Sequence, residues 1–211
     1  MMDEFASKEA LGVPRETVER LEAFVDYLAA ENERQNLVSR GTLGSVWSRH
    51  IYDSAQLLRF APSADASWID LGTGAGFPGL IIAALHGGPV TLVEARKLRA
   101  DFLREGAEIL GVEDRTDIYC AKVEAVETGT YDVISARAFA PLPKLLALGE
   151  KFAAPGTRWV LPKGRNAKSE LDAARASWQG AFRVEPSLTD AEAGIIVAEE
   201  VRSLKRGKQS R

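Results

Sequence analysis

Short apolar runs alternate with helical segments from residue 68 to the end of the chain. The candidate strands are residues 68–71, 90–94, 116–119, 131–135, 157–161, 181–188 and 194–202. The candidate helices are roughly residues 78–87, 96–110, 141–153 and 166–178. Alternation of this kind builds a parallel sheet, because each helix carries the chain back across one face of the sheet. The pattern therefore predicts an α/β fold with a mostly parallel seven-stranded sheet and helices on both faces.

The last two candidate strands are joined only by a turn at residues 189–193. Strands joined by so short a link pair antiparallel, because a parallel pair needs a long crossover connection. A parallel sheet that ends in an antiparallel hairpin resembles the Rossmann-like fold of class I methyltransferases, which use S-adenosylmethionine (SAM).

Four glycines lie in the sequence DLGTGAGFPG at residues 70–79. This loop follows a candidate strand and precedes a candidate helix, a setting in which backbone N–H groups approach a ligand closely. Read from Gly72 it fits D-x-G-x-G-x-G, which is typical of SAM sites. Read from Gly74 it fits G-x-G-x-x-G, which is typical of dinucleotide sites. Both patterns expect an acid that binds ribose hydroxyls at the end of the next strand, and Glu94 lies there.

Pro78 favours the SAM pattern. Proline prefers the first helical turn, so the helix begins near Pro78 and three glycines of the loop precede it. A dinucleotide site needs the helix to begin near Gly76, where its N–H groups reach the pyrophosphate. SAM has no phosphate and needs a wider space for its methionine end. Asp70 also fits this pattern, either by ordering the loop or by binding the amino group of SAM.

The region before residue 63 follows helical rather than strand spacing. One apolar stripe at spacings of 3, 4 and 3 predicts a helix over residues 14–37, and it comprises Val18, Leu21, Val25 and Leu28. Residues 42–60 predict a second helix, and residues 61–67 have the composition of a linker.

These patterns divide the chain into three parts. We expect residues 1–62 to form an N-terminal helical extension, residues 63–204 a SAM-binding methyltransferase domain, and residues 205–211 a basic C-terminal tail. A second basic cluster contains Lys163, Arg165 and Lys168. The net charge is only −3, so local patches rather than overall charge would attract a nucleic acid.

Composition excludes several classes of protein. No apolar run approaches the ~18 residues of a membrane span, and the N-terminus has no signal-peptide pattern. The single cysteine fits a reducing compartment, so we expect a cytoplasmic protein without a membrane segment. The two histidines and the cysteine lack metal-ligand spacing, so no metal site is expected. No long exposed apolar stripe calls for a partner subunit, so we expect a monomer.

Several stretches together resemble one family. They are ENERQNL at 31–37, RHIYDS at 49–54, DLGTGAGFPG at 70–79, KVEAV at 122–126, ISARAFAPL at 134–142 and LPKG at 161–164. They are similar to the bacterial ribosomal RNA small-subunit methyltransferase G family, also called glucose-inhibited division protein B. The resemblance covers roughly residues 18–200.

The resemblance implies transfer of a methyl group from SAM to N7 of a guanine in 16S ribosomal RNA, near the decoding site of the small subunit. It also implies cofactor contacts beyond those already expected in the glycine loop and at Glu94. The full set of expected cofactor contacts is Gly72, Gly74, Gly76, Phe77, Glu94, Val123, Glu124 and Arg137. The residues expected to meet RNA are Lys122, Phe139, Lys163 and Arg165.

The chemistry agrees with this assignment. Guanine N7 carries a lone pair and no proton, so methylation needs no general base, and none is assigned. Catalysis then rests on the alignment of nucleophile, methyl carbon and leaving sulfur. We expect Arg137 to act by positioning, by binding either the methionine carboxylate or an RNA phosphate. Phe139 either stacks on the base or packs in the core.

Two other functions remain open from the residues alone. A non-catalytic nucleotide-binding regulatory module would keep the glycine loop and Glu94 but could lack Arg137 and the basic tail. A SAM-dependent methyltransferase of another RNA or of a small molecule would keep the whole cofactor site. The small-molecule enzyme should lack the basic clusters and usually has a lid insertion, which is absent from this sequence.

Overall fold

The computed structural model describes residues 3–204, and within them the strands form one seven-stranded sheet. The strands are β1 (Trp68–Leu71), β2 (Val90–Glu94), β3 (Thr116–Cys120), β4 (Val133–Ser135), β5 (Arg158–Gly164), β6 (Trp178–Pro186) and β7 (Gly194–Ser203). Their order across the sheet is β3-β2-β1-β4-β5-β7-β6. Strand β7 is antiparallel to both of its neighbours, and the other pairs are parallel. The predicted sheet and its terminal hairpin are confirmed.

Helices cover both faces of the sheet, as the alternation predicts. They are α1 (Glu4–Ala10), α2 (Arg15–Gln35), α3 (Arg40–Leu43), α4 (Asp53–Ala55), α5 (Gly79–Leu85), α6 (Lys97–Leu110), α7 (Leu142–Gly149) and α8 (Ala167–Ala174). Trp68 packs on the face covered by α2, α5 and α6, whereas Ile69 packs on the face covered by α7 and α8. This alternation buries both faces of β1 completely. None of the described helices is both long and apolar enough to span a bilayer.

The N-terminal helices share a core with the sheet. Leu21, Phe24 and Leu28 of α2 are fully buried. The Phe24 ring lies 5.9 Å from the ring of Phe102 in α6 and 6.1 Å from that of Phe77 in the glycine loop. The apolar stripe predicted for this helix therefore packs directly against the helices of the sheet. The boundary near residue 62 stays a prediction, and the predicted basic tail at 205–211 lies outside the described residues.

The predicted single helix over residues 42–60 is wrong in detail. The chain here forms α3, a π-helical turn (Trp47–Tyr52), α4 and a 3₁₀ turn (Gln56–Phe60). Gly44 ends α3, and glycine is a weak helix former, so the first turn does not continue into the second. The later turns are continuous but change their hydrogen-bond spacing, which an apolar pattern does not reveal.

Helix α1 was not predicted, because the contacts that hold it in place are polar. Asp3 caps the helix by accepting a hydrogen bond from the N–H of Ala6 at 2.7 Å. The Glu4 carboxylate accepts hydrogen bonds from the N–H groups of Trp47 and Ser48, at 2.9 and 3.0 Å. Helix α8 ends at Ala174 rather than near 178, because Trp178 already begins β6.

Candidate active site

A first cavity of about 500 Å³ opens where β1, β2, β3 and β4 end. Each strand supplies the residues that follow it, namely Gly72, Glu94 to Arg96, Ala121 to Glu124, and Ala138 to Ala140. Ligands of doubly wound sheets bind at this edge, because parallel strands bring their carboxyl ends together there. The structure therefore brings the candidate residues Gly72, Glu94, Lys122, Val123 and Glu124 to one site.

The glycines of the loop at 70–79 have different roles. Gly72 has a positive φ of 68° and lines the first cavity, with its N–H donating to the Val93 carbonyl at 2.8 Å. Gly79 begins α5 under Leu92, and a Cβ there would lie 2.2 Å from a Leu92 methyl carbon. Gly74 and Gly76 do not line the cavity. The helix begins at Gly79, after Pro78, as the SAM pattern predicts.

Glu94 joins the loops that follow β1 and β2. Its carboxylate accepts a hydrogen bond from the Gly74 N–H at 3.1 Å and another from the Arg96 N–H at 2.9 Å. The side chain is nearly buried and lines the first cavity. A carboxylate oxygen accepts more than one hydrogen bond, so both oxygens remain able to bind ligand hydroxyls.

Asp70 orders the glycine loop from beneath. Its side chain is fully buried, accepts from the Ser135 hydroxyl at 2.7 Å and accepts from the Gly79 N–H at 3.1 Å. Burial raises the pKa of this carboxyl group, and its hydrogen bonds oppose that shift. Of the two roles expected for Asp70, the geometry supports ordering of the loop.

A second cavity of about 630 Å³ lies beside the first. Its walls come from the π-helical turn, the loop after β4, the end of β5 and the turn between β6 and β7. Its lining includes His50, Asp53, Arg137, Phe139, Lys163 and Thr189. The N-terminal helical region therefore builds part of this cavity.

Arg137 holds the second cavity together. Its guanidinium donates to the Arg49 carbonyl at 3.3 Å, to Asp53 Oδ2 at 3.4 Å and to His50 Nδ1 at 3.1 Å. It also lies 5.3 Å from the centre of the Phe77 ring, over its face. Burial lowers the pKa of Arg137, and the nearby carboxylate of Asp53 opposes this. Arg137 lines the second cavity and not the first.

His50 is neutral in this arrangement. Burial, followed by the charges of Arg137 and Arg49, lowers its pKa from 6.5 to about 3. Because Nδ1 accepts from Arg137, Nε2 carries the proton and donates to Thr42 Oγ1 at 3.0 Å. Asp53 meanwhile accepts from the Thr189 hydroxyl at 2.7 Å. His50 and Asp53 thus link the helical region to the sheet domain.

Phe139 stands between the two cavities. Both cavities share the wall formed by Ala138, Phe139 and Ala140. The Phe139 ring covers Gly72, and Ala138 has a left-handed φ of 51°, which costs energy for a residue with a side chain. Phe139 is partly buried: it packs against the core on one side and lines both cavities on the other, so the stacking role stays a prediction.

Lys163 is placed differently from a simple phosphate contact. Its side chain is only 7% exposed, and its ammonium group donates to the Ala140 carbonyl at 2.7 Å and to Glu170 at 3.0 Å. The same Glu170 oxygen accepts from the Leu142 N–H at 2.8 Å. Lys163 therefore anchors the loop that carries Arg137 and Phe139. Arg165 is exposed and forms an ion pair with Glu192.

Several charged residues of the cavities escaped the sequence patterns. Arg96, Arg99 and Lys144 line the first cavity, and the exposed Arg49 lines the second. Arg96 directly follows β2, so its position at a strand end was the available signal. Phe77, a predicted cofactor contact, has a side chain only 3% exposed and stacked on His50, outside the first cavity. No group of three or more metal-ligating side chains was found among residues 3–204.

The sheet order, the antiparallel β7 and the cavity at the ends of β1 to β4 are those of the class I SAM-dependent methyltransferase fold. In overall fold the chain is similar to the O-methyltransferase of Bacillus cereus, solved in complex with SAH. The TM-score is 0.61 at 16% identity, over 86% of this chain and 91% of that one.

Sequence comparison identifies the family. Residues 17–194 match the model of the family described as rRNA small subunit methyltransferase G. The chain is 50% identical to the ribosomal RNA small subunit methyltransferase G of Rhizorhabdus wittichii, over 94% of this chain and 93% of the relative. It is 52% identical to the protein of the same name from Novosphingobium aromaticivorans, over 96% and 87%. The chain belongs to this family of SAM-dependent enzymes.

Proposed function

We propose that the protein transfers the methyl group of SAM to N7 of a guanine in 16S ribosomal RNA of the small ribosomal subunit. The observation that carries this proposal is the pair of adjoining cavities that share the wall at residues 138–140. One cavity has the residues of a nucleoside site, and the other is entered from the side of the N-terminal helices. The family membership supplies the class of substrate.

The residues of the first cavity fit SAM. The buried Glu94 carboxylate lies at the end of β2, where it can accept from the ribose hydroxyl groups. Gly72 leaves the backbone accessible beside it, and Val123, followed by Glu124, can frame the adenine. When bound, SAM supplies an electrophilic methyl group on a sulfonium. In this proposal Gly74 acts through its hydrogen bond to Glu94, and Gly76 and Phe77 support the loop from behind.

The second cavity would hold the guanine. Phe139 presents a partly buried aromatic ring at the shared wall, on which an extruded base can stack. Arg137 donates from the same cavity, and its positive charge is balanced by Asp53. These residues orient the base and exclude water. N7 attacks with its own lone pair, so no residue needs to remove a proton, and alignment supplies most of the rate.

The test is methylation of small subunits from a strain that lacks this methyltransferase. The purified protein and labelled SAM should introduce label into 16S ribosomal RNA, and nuclease digestion should release it as N7-methylguanosine. A Glu94→Gln variant is the matched control, because an amide cannot accept at both positions and SAM affinity should fall. Label on another base, or on none, would refute the proposal.

The alternatives give different outcomes. A small-molecule methyltransferase would bind SAM but leave the subunit unlabelled, and a regulatory module would bind a nucleotide without turnover. Calorimetry with SAM and with NAD separates the two patterns in the glycine loop, and binding of NAD alone would overturn the SAM assignment. We further propose that the protein is cytoplasmic and monomeric. Measurement of its size in solution would test whether it is a monomer.

A further inference from the structure

Four cationic side chains line the first cavity, and we call them the cationic rim: Arg96, Arg99, Lys122 and Lys144. None of the four forms an ion pair or a side-chain hydrogen bond within residues 3–204. The cavity also contains two acids, Glu94 and the exposed Glu124, so its four cations exceed its acids by two charges. The rim therefore carries positive charge that the chain itself does not neutralise.

Cations elsewhere in the described chain are mostly neutralised. Those with an acidic partner include Lys8, Arg15, Arg34, Arg40, Lys97, Arg104, Arg158, Arg165, Arg175 and Arg183. The start of α6 shows the difference between paired and unpaired cations. Lys97 pairs with Asp101 at 2.5 Å, whereas its neighbours Arg96 and Arg99 line the cavity and have no acidic partner. Four of the eleven cations without an ion pair in residues 3–204 therefore line this one cavity.

The methyl donor does not account for the rim. SAM carries a sulfonium and an ammonium group against one carboxylate, so it is a net cation. One member of the rim can pair with that carboxylate, and Arg99, whose guanidinium lies closest to Gly74, is well placed for it. The other cations would repel the donor. Charge of this density at a cavity mouth fits a polyanion better.

We propose that the cationic rim, through Lys122 and Lys144 above all, binds the phosphate backbone of the ribosomal RNA beside the target guanine. This inference rests on the proposed function. The rim reaches the wall at residues 138–140, and beyond that wall the exposed, unpaired Arg49 lines the second cavity. An RNA strand can therefore contact cations on both sides of the base that enters the second cavity. Phosphate contacts of this kind position the strand and carry no sequence information.

The rim predicts a measurable salt dependence. Each neutralised phosphate releases bound counterions, and for single strands the logarithm of affinity falls with the logarithm of salt by roughly 0.7 per contact. Removing two contacts should lower the salt slope of the KM for small subunits by roughly 1.4. SAM affinity depends on no phosphate and should stay within about twofold.

The experiment compares three double variants with the wild-type protein between 50 and 200 mM salt. Lys122→Ala/Lys144→Ala removes two rim charges. Lys122→Arg/Lys144→Arg keeps them. Arg15→Ala/Arg202→Ala removes two exposed charges that line neither cavity. The readouts are KM for small subunits, kcat, and the Kd of SAM by calorimetry.

The rim variant should raise KM for subunits by about tenfold at 200 mM salt and flatten the salt slope, with SAM binding retained. The variant Lys122→Arg/Lys144→Arg should restore both the KM and the salt slope. The variant Arg15→Ala/Arg202→Ala should match the wild-type protein. Unchanged KM and slope in the rim variant would overturn the inference while leaving the methyltransferase function intact. Weakened SAM binding with an unchanged subunit KM would also overturn it, since the rim would then serve the cofactor. An inactive wild-type protein would instead count against the proposed function.

Discussion

The ring of Phe139 lies directly over the α-carbon of Gly72, so that a Cβ built on Gly72 would be 2.2 Å from Cδ2 of the ring. This contact joins the glycine loop of the first cavity to the wall that both cavities share. Any side chain at position 72 must therefore displace the Phe139 ring. The position of the ring thus depends on the absence of a side chain at Gly72.

We expect Gly72→Ala to weaken SAM binding by at least about tenfold, which corresponds to about 1.4 kcal/mol. The methyl group displaces Phe139, and the positive φ adds a backbone cost of roughly 1–2 kcal/mol. Calorimetry with SAM and urea unfolding measure the two effects separately.

Gly12→Ala is the matched control for that experiment. Gly12 has a φ of 61°, close to the 68° of Gly72, but nothing lies within 4 Å of its missing Cβ. It should lose stability without losing SAM affinity. Equal SAM affinity in both variants would show that the contact with Phe139 has no bearing on the cofactor.

Arg137→Lys should separate the two roles that the sequence left open for Arg137. A lysine keeps the charge but cannot reach the Arg49 carbonyl, His50 and Asp53 from one rigid group. We expect kcat to fall by about 100-fold, or about 2.7 kcal/mol, with the Kd of SAM unchanged. A parallel loss of SAM affinity would instead assign Arg137 to the methionine carboxylate.

Lys163→Met tests whether Lys163 positions the loop or binds RNA. The variant leaves Glu170 without its cation and releases the Ala140 carbonyl. We expect a stability loss of roughly 2–3 kcal/mol, below the full value for a buried pair because Glu170 keeps 26% of its side chain exposed. Turnover should fall while the salt slope of KM stays as in the wild type.

The double variant Lys163→Met/Glu170→Gln provides the control. The amide still accepts from the Leu142 N–H, and no buried charge is left unpaired. Stability should largely return, but turnover should not. A salt slope reduced by about 0.7 in the single variant would identify Lys163 as a phosphate contact instead.

His50 makes stability depend on pH. The unfolded chain binds a proton at His50 below about pH 6.5, whereas the folded protein does so only near pH 3, because burial and Arg137 oppose the charge. The contribution of His50 to stability is therefore present above pH 6.5 and is lost as pH falls, by up to about 1.4 kcal/mol per pH unit. His50→Gln removes this titration, so the stability difference between wild type and variant should shrink between pH 7 and pH 5 in urea unfolding. Identical pH dependence in both proteins would contradict the assignment.

The parts of the fold that are set by local pattern could be predicted from the sequence. Strands β1 and β2 were placed without error, since short buried runs between turn residues leave little ambiguity. The glycine loop and Glu94 were found because neighbouring parallel strands end at one edge. The sequence could not show that Lys163 would be buried, since Glu170 and Ala140 meet it only after β4 and β5 have paired.

The N-terminal region shows the same limit. An apolar stripe identified α2, but α1 is fixed by the Glu4 carboxylate on backbone groups of Trp47 and Ser48, more than 40 residues away in sequence. The cations Arg96 and Lys144 were also missed, because no spacing rule connects a strand end with a helix two strands later in the chain.

Under the proposed function, the residues that would hold the methyl donor and those that would hold its acceptor come from different stretches of one chain, which Arg137 joins through His50 and Asp53. The two stretches meet where the Phe77 ring of the loop at 70–79 stacks on His50, so a change at position 50 would reach the loop as well as the second cavity. A sheet domain transplanted without the N-terminal helices would keep the first cavity and lose the wall against which the proposed acceptor would be held.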